Sequence, residues 1–139
     1  LLARAILWAA EDPGCAGQTF NIANGDVMVW QETFRVVAEV FGMRLGDPVP
    51  LRLAEVMPTY ADVWEKVVAR HHLLPYSMDA LIGSSWQFAD AVLGYGGTPH
   101  DAVVSTVKAR RFGFADCVDT DEMFVRQLSA LQAARVLPP

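Results

Sequence analysis

Only one stretch of this chain clearly alternates polar and apolar residues. Gln18-Thr19-Phe20-Asn21-Ile22-Ala23 has the period of two that marks a β-strand. Nearly everything else carries helical spacing. A lone strand cannot make a sheet, because it leaves two rows of main-chain N–H and C=O groups unpaired, which is costly when buried. A short edge strand near Met43–Leu45 adds little to it. The expected fold is mostly α with one or a few short strands. It is an α/β fragment whose strand joins a sheet upstream in a longer polypeptide.

The helices follow from punctuation and spacing. Leu1 to Glu11 reads as a helix stopped by Pro13-Gly14. It opens in full helical pattern with no capping residue ahead of it, as expected of a piece of a longer chain. Asn24-Gly25-Asp26 is a turn, with Gly25 free to take positive φ. Trp30, Phe34, Val37 and Phe41 fall at i, i+4, i+7 and i+11 of an amphipathic helix that Gly42 ends. Pro48 and Pro50 hold the loop Arg44–Pro50 extended, and Leu51–Met57 is a helical turn. Tyr60 to His71 is a second amphipathic helix, with Trp64, Val67, Val68 and His71 on one side. Val103–Arg111 reads as a helix whose last turn holds Lys108, Arg110 and Arg111, which suits its dipole. Asp119 is the N-cap of a final helix, with Glu122 three residues on and Met123, Phe124, Leu128 and Leu131 as its apolar stripe.

Between these lies Ser77 to Gly97. Met78, Leu81, Ile82, Ser85, Ala89, Val92 and Leu93 recur at helical spacing and mark one buried face. Trp86 and Phe88 lie off that face and give the helix a second apolar side; its only charges are Asp79 and Asp90. A helix apolar on two sides needs two things to pack against. The pattern allows two readings of Trp86, Gln87 and Phe88: a crowded core helix, or the wall of a pocket for a flat apolar ligand. In the second reading Asp90 is structural, capping a neighbouring helix or pairing with an Arg.

The composition points to surface that another protein part covers. Of 139 residues, 53% are hydrophobic and the mean hydropathy is +0.23, rich for a free-standing domain of this size. No apolar run reaches the ~18 residues of a membrane span. A net charge of −5 speaks against nucleic acid or an anionic membrane as partner. Cys15 and Cys117 are too far apart in sequence to suggest a disulfide framework and fit a reducing cytosol.

Most familiar chemistries are excluded residue by residue. His71 and His72 are adjacent and point apart, and His100 and Cys117 have no partner at ligand spacing, so no metal site is expected. Gly94-Tyr95-Gly96-Gly97-Thr98-Pro99 is a connector: no apolar strand precedes it and no helix start follows, so it is not a dinucleotide fingerprint. There is no Gly-x-Ser-x-Gly, and Ser84, Ser85, Ser105 and Ser129 lack a matched His and acid. Lys108, Arg110 and Arg111 read as a solvated helix end.

An ordered set of segments carries a resemblance. Ile6-Leu7-Trp8-Ala9-Ala10, Phe20-Asn21-Ile22-Ala23-Asn24-Gly25-Asp26-Val27, Trp30 and Phe41-Gly42 come first. Val63-Trp64-Glu65-Lys66-Val67-Val68, Trp86-Gln87-Phe88-Ala89-Asp90, Ser105-Thr106-Val107-Lys108, Arg111-Phe112-Gly113-Phe114 and Val136-Leu137-Pro138 follow. In this order they resemble the C-terminal third of extended short-chain dehydrogenases/reductases, and more narrowly the progesterone 5β-reductase and iridoid synthase-like group. The resemblance implies a Rossmann-fold, NADP(H)-dependent enzyme that adds hydride to a C=C bond conjugated to a carbonyl. It implies that residues 1–139 are the C-terminal substrate-binding part. The glycine-rich cofactor loop, the catalytic Tyr and Lys and the bound NADP(H) would then belong to a missing N-terminal Rossmann part. Tyr60, Tyr76 and Tyr95 have no Lys four residues on, so no catalytic residue is expected here. The group's aromatic lid residue matches Phe88, and the position before it, usually aromatic in the plant enzymes, is Gln87. That departure implies a more polar enone or a reshaped pocket. The implied partner is a small apolar carbonyl or enone compound, and a homodimer is left open.

Two function classes follow: the substrate-binding portion of a short-chain reductase, or a stand-alone helical module that binds a partner protein through its apolar face. The uncapped opening helix and the orphan strand favour the first.

Overall fold

A computed structural model describes residues 1–83, 85–94 and 101–139. Eight α-helices run through the described residues in the order α1 (Leu2–Glu11), α2 (Trp30–Val40), α3 (Leu53–Val56), α4 (Ala61–His71), α5 (Met78–Ile82), α6 (Ser85–Leu93), α7 (Val107–Arg111) and α8 (Thr120–Ala133). Short 3-10 turns occupy Pro13–Cys15 and Met57–Tyr60. The described residues contain no strand. The expected strands at Gln18–Ala23 and Met43–Leu45 are therefore not formed, because no neighbouring ladder exists to complete them. The connector Gly94–Pro99 lies outside the described residues beyond Gly94, as do Ser84 and His100.

The chain divides into two compact units, Leu1–Val37 with Ala102–Arg126, and Ala38–Asp101 with Gln127–Pro139. The first is built on aromatic stacking. Ala5, Ala109 and Phe114 are buried, with Leu1, Trp8, Phe20 and Ile22 packed against them. Trp8 lies 4.9 Å from Phe20 and 5.1 Å from Phe114 between ring centroids, and Phe20 lies 5.2 Å from Phe112. Such tilted and edge contacts suit the ring quadrupoles. The alternation of Gln18–Ala23 survives as packing: Phe20 and Ile22 turn to this core while Thr19 and Asn21 are exposed.

One face of α1 meets this core through Ala5 and Trp8, whereas Leu2, Ile6 and Leu7 are exposed, between 57% and 63%. At 100° per residue, Arg4 and Glu11 mark one charged strip and almost all the remaining circumference is apolar. On α2 the aromatic stripe is only partly covered. Trp30 and Phe34 are exposed and stack on each other at 5.6 Å, with Phe124 at 6.4 Å from Trp30. The most buried residue of that helix is polar: Thr33, at 1% exposure, donates its hydroxyl to Asp121 Oδ1 at 3.1 Å. Helix α7 begins at Val107 rather than Val103, and Val103 and Val104 are exposed.

The second unit buries Ala38 and Leu73. Trp64, Val67, Val68 and His71 of α4 are half-buried together, as their spacing predicts. His72 ends α4 in the left-handed region at φ 51, donating its N–H to Ala69 and Val68 carbonyls. The Leu74 N–H reaches the Arg135 carbonyl at 2.8 Å, and the Trp64 indole N–H reaches the Tyr76 carbonyl at 2.8 Å. Both cysteines are free; Cys15 is buried and Cys117 exposed. Burial, and then the charge of Asp12, raise the Cys15 thiol above its ordinary value.

Candidate functional site

The stretch expected as one helix from Met78 onward is two. Ser77 opens α5, its hydroxyl accepting the Ala80 N–H at 3.1 Å. Gly83, at φ 54 and ψ −128, closes it after Ile82. That conformation is one glycine adopts at little cost. A new helix, α6, starts at Ser85, so the two halves of the apolar face expected from Met78 to Leu93 belong to separate helices.

Asp90 fixes α6 in place. Its Oδ1 accepts the Leu53 N–H at 2.7 Å and its Oδ2 the Ala54 N–H at 3.0 Å. These are two of the N–H groups that the first turn of α3 leaves without helical partners. The neighbouring-helix cap expected of Asp90 is thus present, and its client is α3. Helical rotation places Trp86, Asp90 and Leu93 together at i, i+4 and i+7, and all three are half-buried. Phe88 and Val92 fall on the opposite side and are exposed, Phe88 to 72%. Trp86 and Phe88 therefore do not share a second apolar face, since two residues apart on a helix is a turn of 200°. Gln87 lies between them and is exposed. The three candidate substrate residues thus split into one that seats the helix and two that face outward.

Each unit has a hollow among its described residues. One, in the first unit, is lined by Val107, Lys108, Arg111 and Phe112. The other, in the second unit, is lined by Phe41, Met43, Val67, His71 and the segment Leu137–Pro139. Neither includes Phe88.

The Asn24-Gly25-Asp26 turn proves to be a helix anchor. Gly25 takes φ 100, and a Cβ there would meet Arg110 Nη2 at 2.7 Å and Cys117 Cβ at 3.3 Å. Asp26 accepts the Thr120 N–H at 2.7 Å through Oδ2 and the Thr120 hydroxyl at 2.9 Å through Oδ1. The Asn24 amide donates to that same hydroxyl oxygen at 2.9 Å, and the Asn24 carbonyl accepts the Val118 N–H at 2.9 Å. These bonds, the Thr120 N–H first, hold the Asp26 carboxyl below the usual aspartate range. Asp119 also caps α8, accepting the Glu122 N–H at 2.9 Å, as its spacing predicts. The sequence marked the turn and the Asp119 cap; the role of Asp26 was out of reach because its partner lies 94 residues away.

The basic cluster is not simply a solvated helix end. The Lys108 ammonium donates to the Thr19 carbonyl at 3.0 Å and sits 5.1 Å from the Phe20 ring centroid and 5.8 Å from that of Phe112. Arg110 donates to the Gly25 carbonyl at 3.3 Å. Two of the three cations thus pin residues 19–25 to α7, partly by cation–π attraction.

No group of His, Cys, Asp and Glu among the described residues is arranged to hold a metal ion. A dinucleotide cradle needs a strand running through a glycine-rich turn into a helix. No strand is present among the described residues, and the space above Gly25 is filled by Arg110. Such a cradle is not formed among the described residues. No described helix is long and apolar enough to cross a membrane.

Comparison with known proteins gives a consistent set of relatives. The chain is 30% identical over 142 residues to the (S)-8-oxocitronellyl enol synthase CYC1 of Camptotheca acuminata, covering 99% of this chain and 35% of that protein. It is 32% identical over 141 residues to the (S)-8-oxocitronellyl enol synthase of Antirrhinum majus, with the same shares. It is 28% identical over 141 residues to the 3-oxo-Delta(4,5)-steroid 5-beta-reductase of Arabidopsis thaliana, again over 99% and 35%. The chain spans about a third of the length of the curated relatives it matches. No protein-family model matches it.

Proposed function

We propose that residues 1–139, which match the C-terminal third of enzymes of the progesterone 5β-reductase and iridoid synthase-like group of extended short-chain dehydrogenases/reductases, are the C-terminal, substrate-binding portion of an NADP(H)-dependent reductase of that group. The substrate is a small, largely apolar compound with a C=C bond conjugated to a carbonyl. NADP(H) and the catalytic Tyr and Lys belong to a Rossmann portion of the same polypeptide, ahead of these residues.

One observation carries this reading. Helix α6 is tethered through Asp90 to α3, while Phe88 on its opposite side is 72% exposed. An aromatic ring presented outward by an anchored helix offers a large apolar surface that a flat apolar ligand can cover. Trp86 seats the helix, Phe88 meets the apolar body of the ligand, and Gln87 offers an amide to a polar substituent.

Steady-state kinetics test it. The polypeptide carrying both portions should oxidise NADPH with a 3-oxo-Δ(4,5)-steroid or an acyclic conjugated aldehyde, and the 139-residue chain alone should oxidise none. A complete polypeptide that binds NADPH but reduces no conjugated carbonyl compound would refute the reading.

A further inference from the structure

Helix α6, which carries Phe88, follows α5, and together they form an arm, Tyr76–Leu93, broken at Gly83. The two helices have five and nine residues, both short of the ~12–15 at which an isolated helix becomes even marginal in water. The arm therefore takes its position from what it is fastened to. Among the described residues, apart from the turn bond from the Tyr76 N–H to the Leu74 carbonyl, hydrogen bonds join the arm to the rest of the second unit at two places. At the outer place, Asp90 accepts the Leu53 and Ala54 N–H groups. At the root, the Trp64 indole N–H donates to the Tyr76 carbonyl at 2.8 Å, one residue before Ser77 caps α5.

Both fastenings lie on one run of helical backbone. Helix α3, the 3-10 turn Met57–Tyr60 and α4 follow one another without a gap from Leu53 to His71. Pro58 has no N–H to continue the α ladder through the turn, and the Thr59 hydroxyl donates to the Val56 carbonyl at 2.7 Å. Asp90 grips the start of this run, and Trp64 reaches the arm from its α4 part. The indole of half-buried Trp64 has one proton to donate, so its acceptor fixes how the ring and the Tyr76 main chain sit together.

We infer that Trp64 is a positioning residue for the substrate site: by holding the Tyr76 carbonyl it fixes the root of the arm, as Asp90 fixes its outer helix, and so sets where Phe88 stands. This rests on the reading in the previous subsection. A helix fastened at one point is free to pivot about it, whereas a second fastening fixes its direction. Phe88 lies on the side of α6 opposite Asp90, so a pivot about that carboxylate displaces it.

The complete polypeptide carrying both portions tests this. Trp64→Phe keeps a ring and removes the N–H. Benzothienylalanine in place of Trp64 keeps the two-ring shape as well and removes only the donor. Each should raise KM for a conjugated enone by roughly five-fold, the worth of one ordinary hydrogen bond, while kcat and the KM for NADPH hold. In a Phe88→Ala background neither should raise KM further, because the bond acts through that side chain. An unchanged KM overturns the inference. So does an equal rise in the Phe88→Ala background, which marks a general loss of packing, and so does an effect of Trp64→Phe that the isostere lacks. A readout without turnover separates this from the reductase reading. With para-fluorophenylalanine in place of Phe88, the fluorine resonance should shift or split when the Trp64 donor is removed. A resonance that stays put overturns the positioning role in an active or an inactive polypeptide. One that moves in a polypeptide reducing no enone sinks only the reductase reading.

Discussion

Replacing Asp90 by alanine removes the carboxylate that ties α6 to the start of α3. The carboxylate accepts two main-chain N–H groups, at 2.7 and 3.0 Å, and the site is half-buried. A lost helix cap costs about 0.5–2 kcal/mol, and hydrogen bonds to a charged group sit at about 1.5–3 kcal/mol. Water reaches a half-buried site and repairs part of the loss, so about 2 kcal/mol is the expected net cost. Every 1.4 kcal/mol is tenfold in an equilibrium constant, so the opening that exposes these amides should become roughly 30-fold more frequent. Amide exchange at Leu53 and Ala54, read by NMR, should accelerate by that factor. Asp90→Asn keeps one carbonyl acceptor and should fall between. The Ala80 amide, held by the Ser77 hydroxyl, serves as an internal control and should be unchanged. If Leu53 and Ala54 exchange within two-fold of the unsubstituted protein, side-chain packing rather than the carboxylate holds the two helices, and the fixed mount assigned to Phe88 goes with it.

Phe88→Ala should leave the denaturation midpoint unchanged, since the ring is mostly in solvent. In the complete enzyme it should lower kcat/KM for an apolar enone ten-fold or more, about 1.4 kcal/mol or above; unaltered kinetics would remove Phe88 from the substrate site. Asp26→Asn weakens the bonds to Thr120 and should cost about 1 kcal/mol at neutral pH. The folded-state pKa of Asp26 lies below its unfolded value, so its contribution is complete above about pH 4 and is lost as pH falls through the folded value. Urea midpoints of the two proteins should therefore converge in acid, and a constant gap would refute the assignment. Gly25→Ala forces a side chain into positive φ and against Arg110 Nη2, and should destabilise the first unit by about 1–3 kcal/mol in a urea titration.

What the sequence determined by itself is local. The helices ending near Glu11 and at His71, the turn at Gly25 and the Asp119 cap depend on residues within a turn or so of one another, and their spacing was sufficient. The capping role of Asp90 was legible, because a carboxylate on an apolar helix needs donors, but its partner 37 residues back was not. The break at Gly83 went unseen because a glycine inside an apolar repeat leaves the period intact, and only the folded backbone shows it at positive φ. Tertiary structure alone decided that Thr33 is buried beneath exposed aromatics, that Lys108 lies against Phe20, and that Asp26 holds the start of α8. It also decided that Gln18–Ala23 keeps the alternation of a strand without being one. Alternation fixes which side chains face inward, a property of the segment itself, whereas a ladder needs a second main chain alongside, and no described residue supplies it.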